Sequence, residues 1–217
     1  MRTAIFGGSF DPPHLAHVMA CAYALSCSDV ERVMMIPCSR HAFDKPLAPF
    51  EHRLAMCRLS VRGVIERVEV SDIEGARAGV SYMVDTLDEL AQRHPADSFH
   101  LLVGSDILDE IHLWKDSLRV QQMAPLLVIP RLEAASLGEA PGAGRSALHD
   151  VGMTRRQDAG APSGARRFIL PDVSSTEIRE RLAQGQMPYE MLPRCVAEYI
   201  IQHRLYGWRS GAKRDPR

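Results

Sequence analysis

The chain has 217 residues, 46% of them hydrophobic and 24% charged, proportions that exclude a disordered, collagen-like or coiled-coil protein. With 26 basic and 27 acidic side chains the formal charge is −1, so no global field is available to hold nucleic acid or an anionic membrane, and any anion site must be local. The longest apolar run, Val18 to Leu25, falls far below the roughly 18 residues of a membrane span. Asp11, His14 and His17 interrupt the N-terminal region before a secretory signal could form. Five cysteines, Cys21, Cys27, Cys38, Cys57 and Cys195, contain no CxxC pair. The expectation is a cytoplasmic protein with free thiols, no disulfide framework and no zinc cluster.

In chain order, Arg2 to Phe6 is a short apolar run that predicts a strand ending at Gly7-Gly8, and His14 to Cys27 predicts a helix. Val30 to Ile36 predicts a buried strand stopped by Pro37, followed by a helix over Phe50 to Val61, with Leu54, Met56, Cys57, Leu59 and Val61 at helical spacing. Arg67 to Val70 alternates like a strand, Ser81 to Arg93 has helical periodicity with Ser81 as its expected cap, and Ser98 to Val103 is a strand ending at Gly104. Asp106 to Val120 reads as broken helix, Ala124 to Ile129 and Arg167 to Leu170 as strands, and Ser175 to Ala183 and Arg194 to His203 as helices.

Such alternation predicts an α/β, doubly wound (Rossmann-like) parallel sheet with helices on both faces, because right-handed crossovers place them there. Binding sites in these sheets lie at the carboxyl ends of strands, so the residues after Phe6, Ile36, Val103 and Leu170 should converge. Residues 134–166 break the rhythm: they hold six of the fifteen glycines, with Pro141 and Pro162, and no apolar period. They read as a flexible insertion within one domain spanning residues 1–208, and residues 209–217 as a disordered tail.

The densest chemistry-bearing segment is Gly7-Gly8-Ser9-Phe10-Asp11-Pro12-Pro13-His14-Leu15-Ala16-His17, directly after the first strand. Glycine lets backbone N–H groups approach an anion closely, and the following helix turns its positive end to the same point. At i, i+3, His14 and His17 lie on one face of the first helical turn and can address one ligand; metal ligation by the pair is the rival reading, though no Cys or acidic third ligand stands at suitable spacing. The segment is neither a P-loop nor a GxGxxG dinucleotide fingerprint. Near the other end, in Val173-Ser174-Ser175-Thr176-Glu177-Ile178-Arg179, Ser175 and Thr176 can cap a helix and Arg179 can reach phosphate oxygens with its planar fork of donors.

These two segments resemble the GxFxPxHxxH and [IV]SSTxIR signatures of the nucleotidyltransferase superfamily, and the chain as a whole is most similar to the nicotinate mononucleotide adenylyltransferase family. Further segments match that family: Gly104-Ser105-Asp106 its GxD, Trp114-Lys115 its tryptophan, Ser81 to Leu87 its SYTxxTL, and Pro130-Arg131 its strand-end arginine. The resemblance implies His14, His17 and Arg179 as catalytic residues. It implies Gly7, Gly8, Ser9, Phe10, His17, Gly104, Asp106, Ser175, Thr176 and Arg179 as contacts to ATP, and Arg40, His41, Lys45, Tyr82, Met83, Trp114 and Arg131 as contacts to the acceptor. Taken alone, Trp114 reads as a core residue and Asp106 as a helix cap, and their functional weight rests on the two flanking signatures. Met83 replaces the family's usual Thr, and a thioether cannot donate a hydrogen bond. The loop Pro37 to Pro46 keeps basic groups at shifted spacing.

The implied reaction moves AMP from ATP to nicotinate mononucleotide, giving deamido-NAD and pyrophosphate. Mg2+ is the implied cofactor, carried by ATP phosphates with no protein ligand. The implied partners are ATP and a pyridine mononucleotide, with no nucleic acid and no membrane, and a homo-oligomer is left open. The alternatives are the same chemistry on nicotinamide mononucleotide or another phosphate acceptor such as phosphopantetheine, and a non-catalytic nucleotide-binding module.

Overall fold

A computed structural model of the chain describes residues 1–40, 46–63, 65–77, 79–129 and 170–209. Five parallel strands, β1 (Arg2–Gly8), β2 (Arg32–Pro37), β3 (Val68–Val70), β4 (Ser98–Gly104) and β5 (Leu126–Ile129), form one sheet in the order β3-β2-β1-β4-β5. Helices α1 (Leu15–Cys27), α2 (Phe50–Val61), α3 (Met83–Arg93), α4 (Ser117–Met123), α5 (Ser175–Ala183) and α6 (Arg194–His203) surround it. The doubly wound sheet read from the sequence is therefore the architecture observed. The expected strand over Arg167 to Leu170 lies outside the described residues apart from Leu170, as do the 134–166 insertion and nearly all of the 209–217 tail.

The two-residue period of each strand divides the core between the faces. On one face Ala4, Val33, Met35, Leu102 and Leu127 pack against Ala20, Cys21, Ala24 of α1 and Cys57, Val61 of α2. On the other, Ile5, Met34, Ile36, Leu101 and Val103 meet Val84, Leu87, Leu90 of α3 and Val120 of α4. Short side chains on the inner stripe of α1 let that helix approach the sheet closely. A third cluster, Ala16, Met56, Ile178, Leu182, Val196 and Ile200, locks α5 and α6 onto α1 and α2. Helix α2 stops where Gly63 takes a left-handed φ of +69°, a conformation that costs a glycine little.

Strand order reverses between β1 and β4, and there the pairing is incomplete. β1 pairs with β4 only over Arg2–Ile5, while its pairing with β2 runs on to Gly8 opposite Pro37. Beyond Ile5 the two central strands separate, and the crevice this opens at their carboxyl ends is where ligands bind in open α/β sheets.

Several local expectations change, among them that β2 runs from Arg32 through Pro37 and not from Val30 to Ile36. The broken helix over Asp106 to Val120 resolves into 3₁₀ turns at Ser105–Asp109 and Ile111–Leu113 followed by α4. The fifth strand begins at Leu126 rather than Ala124. Ser81 does not cap α3, whose cap position is Tyr82; its hydroxyl instead accepts the Ser39 N–H at 3.1 Å, joining the β2 end to the start of α3.

The connection from β3 to α3 carries a buried carboxylate, Glu74, which is 3% exposed and accepts the Thr86 hydroxyl at 2.6 Å. Burial pushes its pKa above the ordinary 4.5, against the opposing pull of Thr86, Ser81 and Arg77. A raised folded-state pKa means that the native chain binds the proton more tightly than the unfolded one, so this contribution to stability is full below 4.5 and is lost as pH rises through the folded value. Urea unfolding across a pH series should show that decline in the wild type and its loss in Glu74→Gln, which keeps an acceptor for Thr86.

Candidate active site

The loop between β1 and α1 is built around buried polar anchors. Phe10 adopts φ 47° and is 2% exposed, its ring edge-on to Phe6 at 5.3 Å and to His17 at 4.9 Å. Asp11 and Pro12 are joined by a cis peptide bond. His14 takes the cap position of α1 rather than its first turn, and the His14 and His17 rings stack at 3.6 Å between centroids with 25° between planes. The two rings are adjacent, but through an extended cap residue packed on the helix and not through two residues of one helical turn. The His14 backbone N–H donates to Nδ1 of His17 at 3.1 Å. That bond assigns the hydrogen of a neutral His17 ring to Nε2, which is then a donor without any need for protonation.

Helix α5 carries the second signature to the same loop. Its cap is Ser174, whose hydroxyl accepts the Glu177 N–H at 3.1 Å, not Ser175 or Thr176. Ser175 instead donates its hydroxyl to the Pro12 carbonyl at 2.9 Å. One turn on, Arg179 donates to the Asp11 carbonyl at 2.8 Å across 168 residues of sequence, and to the Thr176 hydroxyl at 3.2 Å. Its guanidinium stands 3.9 Å from Asp11 Oδ2 and remains a quarter exposed.

Arg53 and Tyr206, both essential to this arrangement, were not among the residues singled out from the sequence. Arg53 of α2, 1% exposed, donates to the carbonyls of Ala48 at 2.8 Å, Ser9 at 2.9 Å, Cys38 at 2.7 Å and Ser39 at 3.1 Å. One guanidinium therefore ties together the loops leaving β1 and β2. The carboxylate of Asp11, 2% exposed, accepts the Ala48 N–H at 3.2 Å and the Tyr206 hydroxyl at 2.8 Å. Arg53 was legible in principle, since it lies four residues before Cys57 on the stripe that α2 buries; Tyr206 left no signal in local sequence.

The expected acceptor residues fall on the other side of the crevice. The Met83 methyl lies so close to Gly7 that a Cβ there would stand 2.5 Å from it, which sets the thioether over the end of β1. Tyr82, Met83 and Trp114 pack in one cluster, half-buried, and the Lys115 ammonium sits 4.6 Å above the Tyr82 ring while pairing with Asp85 at 3.2 Å. Gly104 ends β4, and Asp106 is exposed in the following 3₁₀ turn. Arg40 is exposed, and its carbonyl accepts the Ser81 N–H at 3.0 Å. His41, Lys45 and Arg131 lie outside the described residues. Cys38, beside the Arg53 anchor, is pushed up to about 11 by burial, so it is a thiol and not a nucleophilic thiolate at neutral pH.

The cytidylyltransferase-like family profile matches residues 5–181. A protein of Anaeromyxobacter dehalogenans (strain 2CP-C) named "Probable nicotinate-nucleotide adenylyltransferase" is 40% identical over 206 residues, 94% of this chain and 95% of its own. One of the same name from Thermus thermophilus is 34% identical over 212 residues, 95% of this chain and all of its own. Among solved structures, the Plasmodium falciparum nicotinic acid mononucleotide adenylyltransferase complexed with NaAD aligns at 18% identity with a TM-score of 0.67, covering 96% of this chain and 98% of that one. At that identity the likeness concerns the fold.

Replacing Arg53 by Met preserves the buried stem but leaves four carbonyls without their donor. The expected loss is on the order of 3–5 kcal/mol of unfolding free energy, measured by denaturant unfolding; a loss below about 1 kcal/mol would remove Arg53 from its place as the anchor of the two loops.

Proposed function

The chain belongs to the nicotinate-nucleotide adenylyltransferases of the cytidylyltransferase-like family, and on that premise we propose that it transfers AMP from ATP to nicotinate mononucleotide, giving deamido-NAD and pyrophosphate in NAD biosynthesis. The observation that supports the assignment of roles is the stacked His14–His17 pair at the start of α1, on the loop whose Asp11 carbonyl Arg179 reaches from across the chain.

An oxygen of the acceptor phosphate forms a bond to the α-phosphorus of ATP as the bond from that phosphorus to the bridging oxygen breaks and pyrophosphate departs. A phosphate monoester is already anionic at neutral pH, so no general base is needed, and catalysis is positioning and charge stabilisation. His17 donates from Nε2 to the phosphates, His14 presses against its ring, and the amino end of α1 adds its dipole. Arg179, oriented by the Asp11 carbonyl and the Thr176 hydroxyl, takes the charge that develops on pyrophosphate. Gly7, Gly8, Ser9 and Phe10 shape the nucleotide side with Gly104, Asp106 and Ser175, and Tyr82, Met83 and Trp114 receive the pyridine.

Among the described residues no three His, Cys, Asp or Glu side chains stand together as metal ligands, and the buried carboxylate of the loop is already engaged by Tyr206 and Ala48. A Mg2+ ion carried by phosphate oxygens and water would offset the charge of the triphosphate. No helix among the described residues is long and apolar enough to cross a membrane. All five cysteines are free, which supports a cytoplasmic setting.

Pyrophosphate release should be measured with ATP and, in turn, nicotinate mononucleotide, nicotinamide mononucleotide and phosphopantetheine. Nicotinate mononucleotide is expected to give the highest kcat/KM; preference for another acceptor would overturn the substrate assignment, and ATP binding without turnover on any of them would point to a binding module. His17→Ala is expected to lower kcat by about two to three orders of magnitude with the fold retained, and Arg179→Ala chiefly to weaken the use of ATP.

A further inference from the structure

After α6 the backbone turns sharply: Arg204 and Tyr206 both take left-handed conformations, with φ of 51° and 57°. Such conformations are uncommon for residues with a side chain and cost roughly 1 kcal/mol each. The turn aims Tyr206 at the β1–α1 loop, where its hydroxyl donates to Asp11 Oδ1 at 2.8 Å across 195 residues of sequence. The same oxygen accepts the Ala48 N–H at 3.2 Å, while Oδ2 faces the Arg179 guanidinium at 3.9 Å. The carboxylate and the guanidinium are thus adjacent without closing into the bidentate pair that Asp and Arg form when both are mobile. Two donors on Oδ1 hold the carboxylate back. Burial, and the neighbouring Asp11 charge, push the Tyr206 hydroxyl far above its ordinary pKa, so it remains a donor throughout the working range.

We propose that Tyr206 is a positioning residue for adenylyl transfer: by holding the Asp11 carboxylate it keeps the Arg179 guanidinium oriented toward the triphosphate instead of neutralised by a closed ion pair. The proposal rests on the reading of Arg179 as a residue that serves ATP. Without the hydroxyl, the Ala48 N–H is the one donor left on Oδ1 among the described residues, and Asp11 can rotate toward Arg179. The guanidinium would then have to break a full ion pair before it met phosphate, a cost that falls on ATP and not on the acceptor.

The test is a double-mutant cycle on the full chain with Tyr206→Phe, Arg179→Ala and the double variant, varying each substrate at saturation of the other. Tyr206→Phe is expected to lower kcat/KM for ATP about tenfold and to leave the KM of the acceptor within about twofold. In the Arg179→Ala background the same substitution should change kcat/KM for ATP by less than about twofold, because the group it positions is gone. Equal losses in both backgrounds, or equal losses for both substrates, would make Tyr206 a general structural support and overturn the proposal. Wild-type ATP kinetics in Tyr206→Phe beside a crippled Arg179→Ala would overturn the positioning role alone. Wild-type kinetics in Arg179→Ala would overturn the assignment of Arg179 and this proposal with it. If Tyr206→Phe fails to fold, Asp11→Asn is measured in its place: with no carboxylate left to close on Arg179, it is expected to keep kcat/KM for ATP within about twofold of wild type, and a tenfold loss would count against the proposal.

Discussion

Everything at the candidate site hangs on one buried cation. Arg53 leaves water almost completely and is compensated by four backbone carbonyls. A guanidinium suits this task because its planar fork carries several donors that point in fixed directions. The carbonyls belong to residues 9, 38, 39 and 48, so helix α2 fixes the loop after β1 relative to the loop after β2. A buried charge is expensive unless every donor is satisfied, which makes the arrangement specific: few other positions of those loops would offset the desolvation.

From that anchor the geometry extends outward. The loop after β1 presents the carbonyls of Asp11 and Pro12 to α5, and α5 answers with Arg179 and Ser175. The third apolar cluster holds α5 in place through Ile178 and Leu182 against Ala16 of α1 and Met56 of α2. Two residues of one signature thus dock on the backbone of the other. For a reaction whose acceptor is already ionised, rigid placement of donors is the chief thing a protein can add.

Much of the fold could be read locally. The bounds of α2, α5 and α6 agree with their periodicity, since a single stripe of each is buried and their amino ends meet proline or a capping serine. The misplaced caps have a common cause. In Ser174-Ser175-Thr176 three hydroxyls compete for one role, and only the docking of α5 on Pro12 decides which of them faces solvent, loop or helix. Ser81 could serve α3 or the loop after β2, and Ser39 took it. The His14–His17 pair was legible because the two residues stand three apart where the glycine loop enters α1, although His14 caps that helix instead of lying in its first turn. Arg53 and Tyr206 were not found, since the partners that define them lie in other segments, up to 195 residues away.

By itself, the near-neutral composition offered no global field for a polyanion, the strand–helix alternation determined the parallel sheet, and two short signatures with their glycines, histidines and arginine marked the chain's family. These are properties of spacing, which a helix or strand converts directly into position. Only the tertiary structure decided that β1 and β4 separate after Ile5, that Met83 lies over Gly7, that Arg53 binds two loops together and that Tyr206 reaches Asp11. Each of these is a contact between distant segments, and its energy depends on burial and on competing partners that exist only once the chain has closed on itself.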